Sequence, residues 1–144
     1  MQIIIGSDHG GYRLKEEIAE YLKSKGVDVY NAGTYSTDSC DFPIIAKDVA
    51  RRVLATEGSR GILVCGTGIG VSIAANKVKG IRASHCTDTY TAKMTVQHNN
   101  SNILCLGERV TGSGLALDIV DAWLNAKFEG GRHQKRIDMI EEID

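Results

Sequence analysis

The chain carries no excess charge of one sign: 17 lysines and arginines face 18 aspartates and glutamates over 144 residues, a formal net charge of -1. No global field is available to recruit nucleic acid or an acidic membrane, so neither is an expected partner. Long apolar runs are missing as well. The N-terminal "MQIIIGSDHGG" has no basic region ahead of its short isoleucine run, and reads as neither signal peptide nor membrane span. The cysteines Cys40, Cys65, Cys86 and Cys105 stand far apart with no C-x-x-C between them. Without a secretory signal, reduced thiols in a cytoplasmic protein are the expectation. Cys86 and Cys105 lie in the β-like runs "IRASHC" and "NILCLG", where a buried, inert thiol is the common outcome. Cys40 sits in a polar loop and is assigned no role.

What remains is an ordinary globular composition, 42% hydrophobic and 24% charged, at a length that favours one domain over residues 1–144. The apolar period switches repeatedly. "QIIIG", "VDVYNAG", "GILVCG", "IRASHC" and "NILCLG" read as strands. "YRLKEEIAEYLKSKG", "PIIAKDVARRVLATEG", "IGVSIAANKV", "DTYTAKMTVQHN" and "SGLALDIVDAWLNAKF" read as helices. Leu14, Ile18 and Leu22 form one helical face and Ile45, Val49 and Val53 another; Gly26 suits a helix stop and Pro43 a helix start. A basic tail from about residue 129 closes the chain with a short helix. No low-complexity linker interrupts this alternation. It predicts an α/β fold: a doubly wound, mainly parallel five-stranded sheet with helices on both faces, a Rossmann-like three-layer sandwich.

In such sheets ligands sit beyond the carboxyl ends of the strands. The segments falling there are "SDHGG", "AGTYS", "CGTGIG", "TDTY" and "GERV". The third has neither the G-x-G-x-x-G spacing of a dinucleotide fingerprint nor the Gly-Lys-Ser/Thr of a P-loop. It does offer a row of unobstructed N–H groups leading into a helix N-terminus, suited to an anion or a developing oxyanion. A plain strand-to-helix turn using glycine for positive φ explains the same letters.

Cys65 ends its strand and should look into that crevice. A thiolate facing backbone donors suits two chemistries: a nucleophile toward an acyl group, or a base removing a proton from carbon beside a carbonyl. No Cys/His pair has a zinc spacing, so no metal is expected. Asp8 and His9 follow the first strand, where Asp8 also suits a helix N-cap. His98 and Asn99 end the fourth helix, where an Asn in the αL conformation and a His near the C-terminal dipole are an ordinary finish. Arg132 and Arg136 are four apart, so a helix offers both guanidiniums on one face, as a phosphate dianion requires; pairing with Glu141 and Glu142 is the alternative.

Taken in order, "SDHGG", "CGTGIGVSIAANK", "GIRA", "QHNN", "LGERV", "DAWL" and "EGGRHQKR" resemble the RpiB/LacAB sugar-phosphate isomerases over essentially the whole chain. The resemblance implies an aldose–ketose isomerase acting through an enediolate without metal or organic cofactor. The substrate implied is ribose 5-phosphate, giving ribulose 5-phosphate, with a hexose 6-phosphate such as allose or galactose 6-phosphate as the alternative. It further implies Cys65 as the base, with Thr67 and the amides of Gly66, Thr67, Gly68, Ile69 and Gly70 holding the enediolate oxygens. His98 would protonate the ring oxygen, and Asp8 and Asn99 would hold sugar hydroxyls. His9, Arg109, Arg132 and Arg136 would clamp the phosphate. One branch of the family replaces the cysteine with a glutamate just past the loop; Val71 stands there, so the cysteine route is implied. A homodimer or homotetramer with shared active sites is implied too, and the helix bearing Trp123 is a candidate interface element, although a core helix would look the same.

Two further readings are weaker. A flavodoxin-like or receiver-like binding module is disfavoured, because a receiver needs an acidic cluster after the first strand and an aspartate after the third, where this chain has Asp8 alone and then Cys65. A thiol hydrolase would need an acyl intermediate on Cys65.

Overall fold

The computed structural model describes Met1–Asp144 and bears out the α/β expectation. Five strands, β1 (Gln2–Ser7), β2 (Asp28–Asn31), β3 (Arg60–Cys65), β4 (Ala83–His85) and β5 (Ile103–Gly107), pair in the order β2-β1-β3-β5-β4, every pair parallel. Six α-helices, α1 (Tyr12–Ser24), α2 (Phe42–Ala55), α3 (Ile69–Asn76), α4 (Thr89–Asn99), α5 (Ser113–Asn125) and α6 (Arg132–Glu141), connect and cover them. None is long and apolar enough to cross a membrane.

The strand order follows from burial. β5, "ILCLG", is buried at every position, whereas β4, "ASH", is short and half-exposed. A strand covered on both faces must be apolar throughout, so β5 takes the interior place and β4 the edge.

Alternation along the strands makes two cores. Ile3, Ile5, Ile62, Val64, Leu104 and Leu106 face one side, with Leu14, Ile18 and Leu22 of α1, Ala92 and Val96 of α4, and Ile119, Val120 and Trp123 of α5. Ile4, Leu63, Cys65, Ile103 and Cys105 face the other, under Ala46, Val49, Ala50 and Val53 of α2 and Val71 and Ala75 of α3. The α1 face matches the periodicity. On α2, Ile45 is only partly buried, and Ala46 and Ala50 carry the contact beside Val49 and Val53.

One point left open by the sequence is decided and one local feature differs from it. Trp123 is 0% exposed and packs in the first core. The αL residue ending α4 is Asn100 (φ 49°), not Asn99. A lysine also enters the interior. Lys15 is fully buried, and its Nζ donates to Asn31 Oδ1 at 3.0 Å and to the Thr34 carbonyl. Burial lowers its pKa, only partly opposed by Glu16. The segment it holds is zipped to the end of β1 by Ser7 N–H donating to Gly33 O and Thr34 N–H to Ser7 O, both 2.7 Å.

Candidate active site

At the carboxyl end of the sheet, β1, β3 and β5 stop level with one another: Ser7 is in register with Val64, and Cys65 with Gly107. The loops beyond them pack backbone against backbone, which is why glycine occupies the contacts. A Cβ on Gly11 would lie 2.5 Å from the Val64 carbonyl, and one on Gly107 2.5 Å from that of Thr67. Gly68 takes φ 83° as the N-cap of α3, and a Cβ there would meet His85 at 2.7 Å. These close approaches bring loops distant in sequence into one crevice.

Cys65 closes β3 with its thiol almost buried, and Gly68 N–H donates to its Sγ at 3.1 Å. Ile69 N–H donates to Thr67 Oγ1 at 3.2 Å. Of the loop amides, Gly68 and Ile69 are thus satisfied from within, while Gly66 and Thr67 take no acceptor from the chain. Backbone bonds from Glu108 N–H to Cys65 O (2.9 Å) and from Arg109 N–H to Gly66 O (3.0 Å) tie the next loop down. They leave the Arg109 guanidinium over Gly66, 3.2 Å from where a Cβ would sit. Glu108 itself is turned away, accepting from Leu14 N–H at the start of α1 at 2.8 Å.

From β1, Asp8 is nearly buried; its Oδ1 accepts from Gly10 N–H at 2.9 Å, capping a short 3-10 turn over His9–Gly11. His9 Nδ1 accepts from Cys40 N–H at 3.2 Å, so the neutral ring carries its proton on Nε2 and can donate to an anion there. Cys40, without an assigned role in the sequence reading, contributes this backbone contact. Cys86 and Cys105 have their thiols pushed up by burial, Cys105 further by the neighbouring Cys65. Both are buried, as expected.

The remaining candidates lie elsewhere. α4 leaves the carboxyl edge at Asp88 and returns to the opposite edge, where Asn102 O accepts from Gly61 N–H at the start of β3. Between Ile103 and Gly107 the sheet rises about 13 Å, so His98 and Asn99 stand at the far end from Cys65. Arg132 and Arg136 join that end through α6, whose His133 stacks on His98 with ring centroids 4.4 Å apart and planes 11° from parallel. Both arginines are exposed; Glu141, offered above as a partner for them, pairs with Arg82 at 2.6 Å. Within one chain, then, Asp8, His9, Gly66, Thr67, Gly68, Ile69, Gly70 and Arg109 gather around Cys65, whereas His98, Asn99, Arg132 and Arg136 form a second group.

The sequence reading missed three side chains that the fold brings to these groups. His85 packs on Gly68, its only signal being its place at the end of a strand. Glu129 and His133 flank His98, with Glu129 Oε1 3.3 Å from His133 Nε2 and 3.8 Å from His98 Nε2. Of all groups in the chain, this trio alone gathers three or more potential metal-ligating side chains.

The sequence pattern of the family described as "Ribose/Galactose Isomerase" matches residues 3–140. Ribose-5-phosphate isomerase B of Escherichia coli (strain K12) is 50% identical over 143 residues, covering 99% of this chain and 96% of that one. The solved ribose-5-phosphate isomerase B of Clostridium thermocellum superposes with a TM-score of 0.97 at 57% identity, covering 99% of this chain and 96% of the other. That of Mycoplasma genitalium, solved with bound ribulose-5-phosphate, superposes with a TM-score of 0.93 at 45% identity, covering 97% and 93%.

Proposed function

The chain belongs to the ribose/galactose isomerase family, and from that membership and its site we propose that it interconverts ribose 5-phosphate and ribulose 5-phosphate. The observation that carries the chemistry is the thiol of Cys65 set against a glycine loop whose Gly66 and Thr67 amides have no partner in the chain. In the open-chain aldose, the Cys65 thiolate takes the proton from C2. The electron pair moves into a C1–C2 double bond, and the C1 carbonyl becomes an enediolate oxygen. Free loop amides and the Thr67 hydroxyl stabilise that charge where it develops. The thiol then returns its proton to C1, the O2 proton passes to O1, and the C2 carbonyl of the ketose forms. Val71 offers no carboxylate to replace the thiol.

Ribose 5-phosphate is mostly a closed furanose and must be opened first; His98 is the acid proposed for the ring oxygen. Asp8 and Asn99 hold hydroxyls, while His9, Arg109, Arg132 and Arg136 hold the phosphate. These residues fall into two groups at opposite ends of the sheet, so one site needs groups from two copies of the chain. An apolar surface beside the thiol loop supports such an assembly: Ile69 and Ile73 of α3 are 50% and 60% exposed, next to Phe42 of α2. The test is a comparison of kcat/KM for ribose 5-phosphate with those for allose 6-phosphate and galactose 6-phosphate. Preference for the pentose phosphate is expected; a hexose phosphate turned over more efficiently would replace the substrate while leaving the reaction type.

A further inference from the structure

We propose that His98, Glu129 and His133 bind a single divalent transition-metal ion of the zinc class, through two imidazole nitrogens and one carboxylate oxygen. Neither Glu129 nor His133 has a part in the isomerisation described above.

Three observations support the site. The His133 side chain is only 8% exposed, and its Nε2 makes no hydrogen bond although Glu129 Oε1 is 3.3 Å away, out of line with the ring N–H. A buried polar nitrogen left without a partner is costly, and a metal ion would satisfy it. Second, the spacing fits. Tetrahedral zinc with ligands at about 2.0–2.1 Å holds them about 3.3–3.4 Å apart; His133 Nε2 and Glu129 Oε1 are already 3.3 Å apart. Third, the remaining ligand is the one free to adjust. His98 Nε2 lies 3.8 Å from the same carboxylate oxygen, on a side chain 41% exposed at the last turn of α4.

The parallel stack of the two rings does not place both nitrogens in line with one ion, so binding requires His98 to turn out of the stack. Glu129 is held close by its own N–H donating to Gln97 O at 3.0 Å. With Glu129 48% exposed, a fourth position opens to water, as in zinc sites with three protein ligands. Arg132 and Arg136 on the same helix oppose a second positive charge, so the affinity should be moderate. An ion held here takes the nitrogen that His98 would use on the sugar ring and inhibits isomerisation. That consequence rests on the role proposed for His98; the binding itself does not.

The experiment titrates the substrate-free full chain with cobalt(II). Expected are visible ligand-field bands saturating at one ion per chain, with no sulfur-to-cobalt charge-transfer band, and their loss on adding zinc. Loss of even an outer-shell partner costs about 10–100-fold in metal affinity, so Glu129→Gln and His133→Asn should each weaken binding at least that much. Circular dichroism and melting curves show whether the variants remain folded. A thiolate band, or unchanged affinity in both folded variants, would overturn the site. Zinc should inhibit the native enzyme, reversibly with EDTA, and inhibit Glu129→Gln less. If cobalt binds as described but zinc leaves activity intact, the metal site stands and the assignment of His98 falls.

Discussion

Gly68 N–H points at Cys65 Sγ across 3.1 Å, so the turn that opens α3 is fastened to the thiol that closes β3. The proposed base and its proposed oxyanion donors therefore belong to one strand–loop–helix unit.

Cys65→Ala should cost about 10²–10⁴-fold in kcat, the usual range for a general base, while sugar-phosphate binding persists. Stopped assays for turnover and calorimetry for binding separate the two. A variant that kept most of its kcat would make the thiol structural.

Arg132→Ala and Arg136→Ala, both at exposed positions of α6, should leave the fold intact and weaken phosphorylated ligands. Each hydrogen bond to a charged group contributes about 1.5–3 kcal/mol, or about tenfold or more in affinity. Free ribose should be almost unaffected. Equal losses for ribose and ribose 5-phosphate would assign the arginines to assembly instead.

Joint refolding of inactive Cys65→Ala and His98→Ala chains should restore activity, because each mixed dimer regains one site with both groups intact. Random pairing in a C₂ dimer predicts about a quarter of native activity. Heterodimers confirmed by mass spectrometry yet inactive would mean that both residues serve the same chain's site.

Lys15 makes stability depend on alkaline pH. Its pKa is lowered in the folded chain, chiefly by burial, so the unfolded state binds more protons between that lowered value and the ordinary lysine value of about 10.5. Stability should therefore rise with pH across that window and fall as pH drops through the folded pKa. Lys15→Met removes this slope and leaves Thr34 O without its donor, at a cost of about 1–3 kcal/mol where no water replaces it, while Asn31 Oδ1 keeps the Gly33 N–H at 3.0 Å. Urea titrations of both proteins at neutral and alkaline pH should show the stability gap widening with pH. A constant gap would remove the lysine's titration from the account.

Local pattern carried most of the fold. The strands and helices, their alternation and the inward face of α1 follow from the apolar period of 3.6 and from short continuous apolar runs such as that of β1, which depend on near neighbours alone. "CGTGIG" was legible for the same reason: a strand end, a thiol and a positive-φ glycine lie within six letters. Strand order was not. β5 lies between β3 and β4 because it is apolar at every position, a competition between distant segments that no short window contains. Nor did Lys15 announce its burial, since lysines are rarely interior and its acceptors lie on a segment 16–19 residues away.

The site divided along the same line. Sequence alone determined which chemical groups exist and which local turns hold them, including the thiol, the glycine loop and the paired arginines. Only the tertiary structure decided that α4 carries His98 back to the far edge of the sheet, that α6 stacks His133 against it, and that Glu129 serves both rings. The physical reason is that strand and helix directions are set by local geometry, whereas proximity across the sheet is set by which apolar faces bury one another.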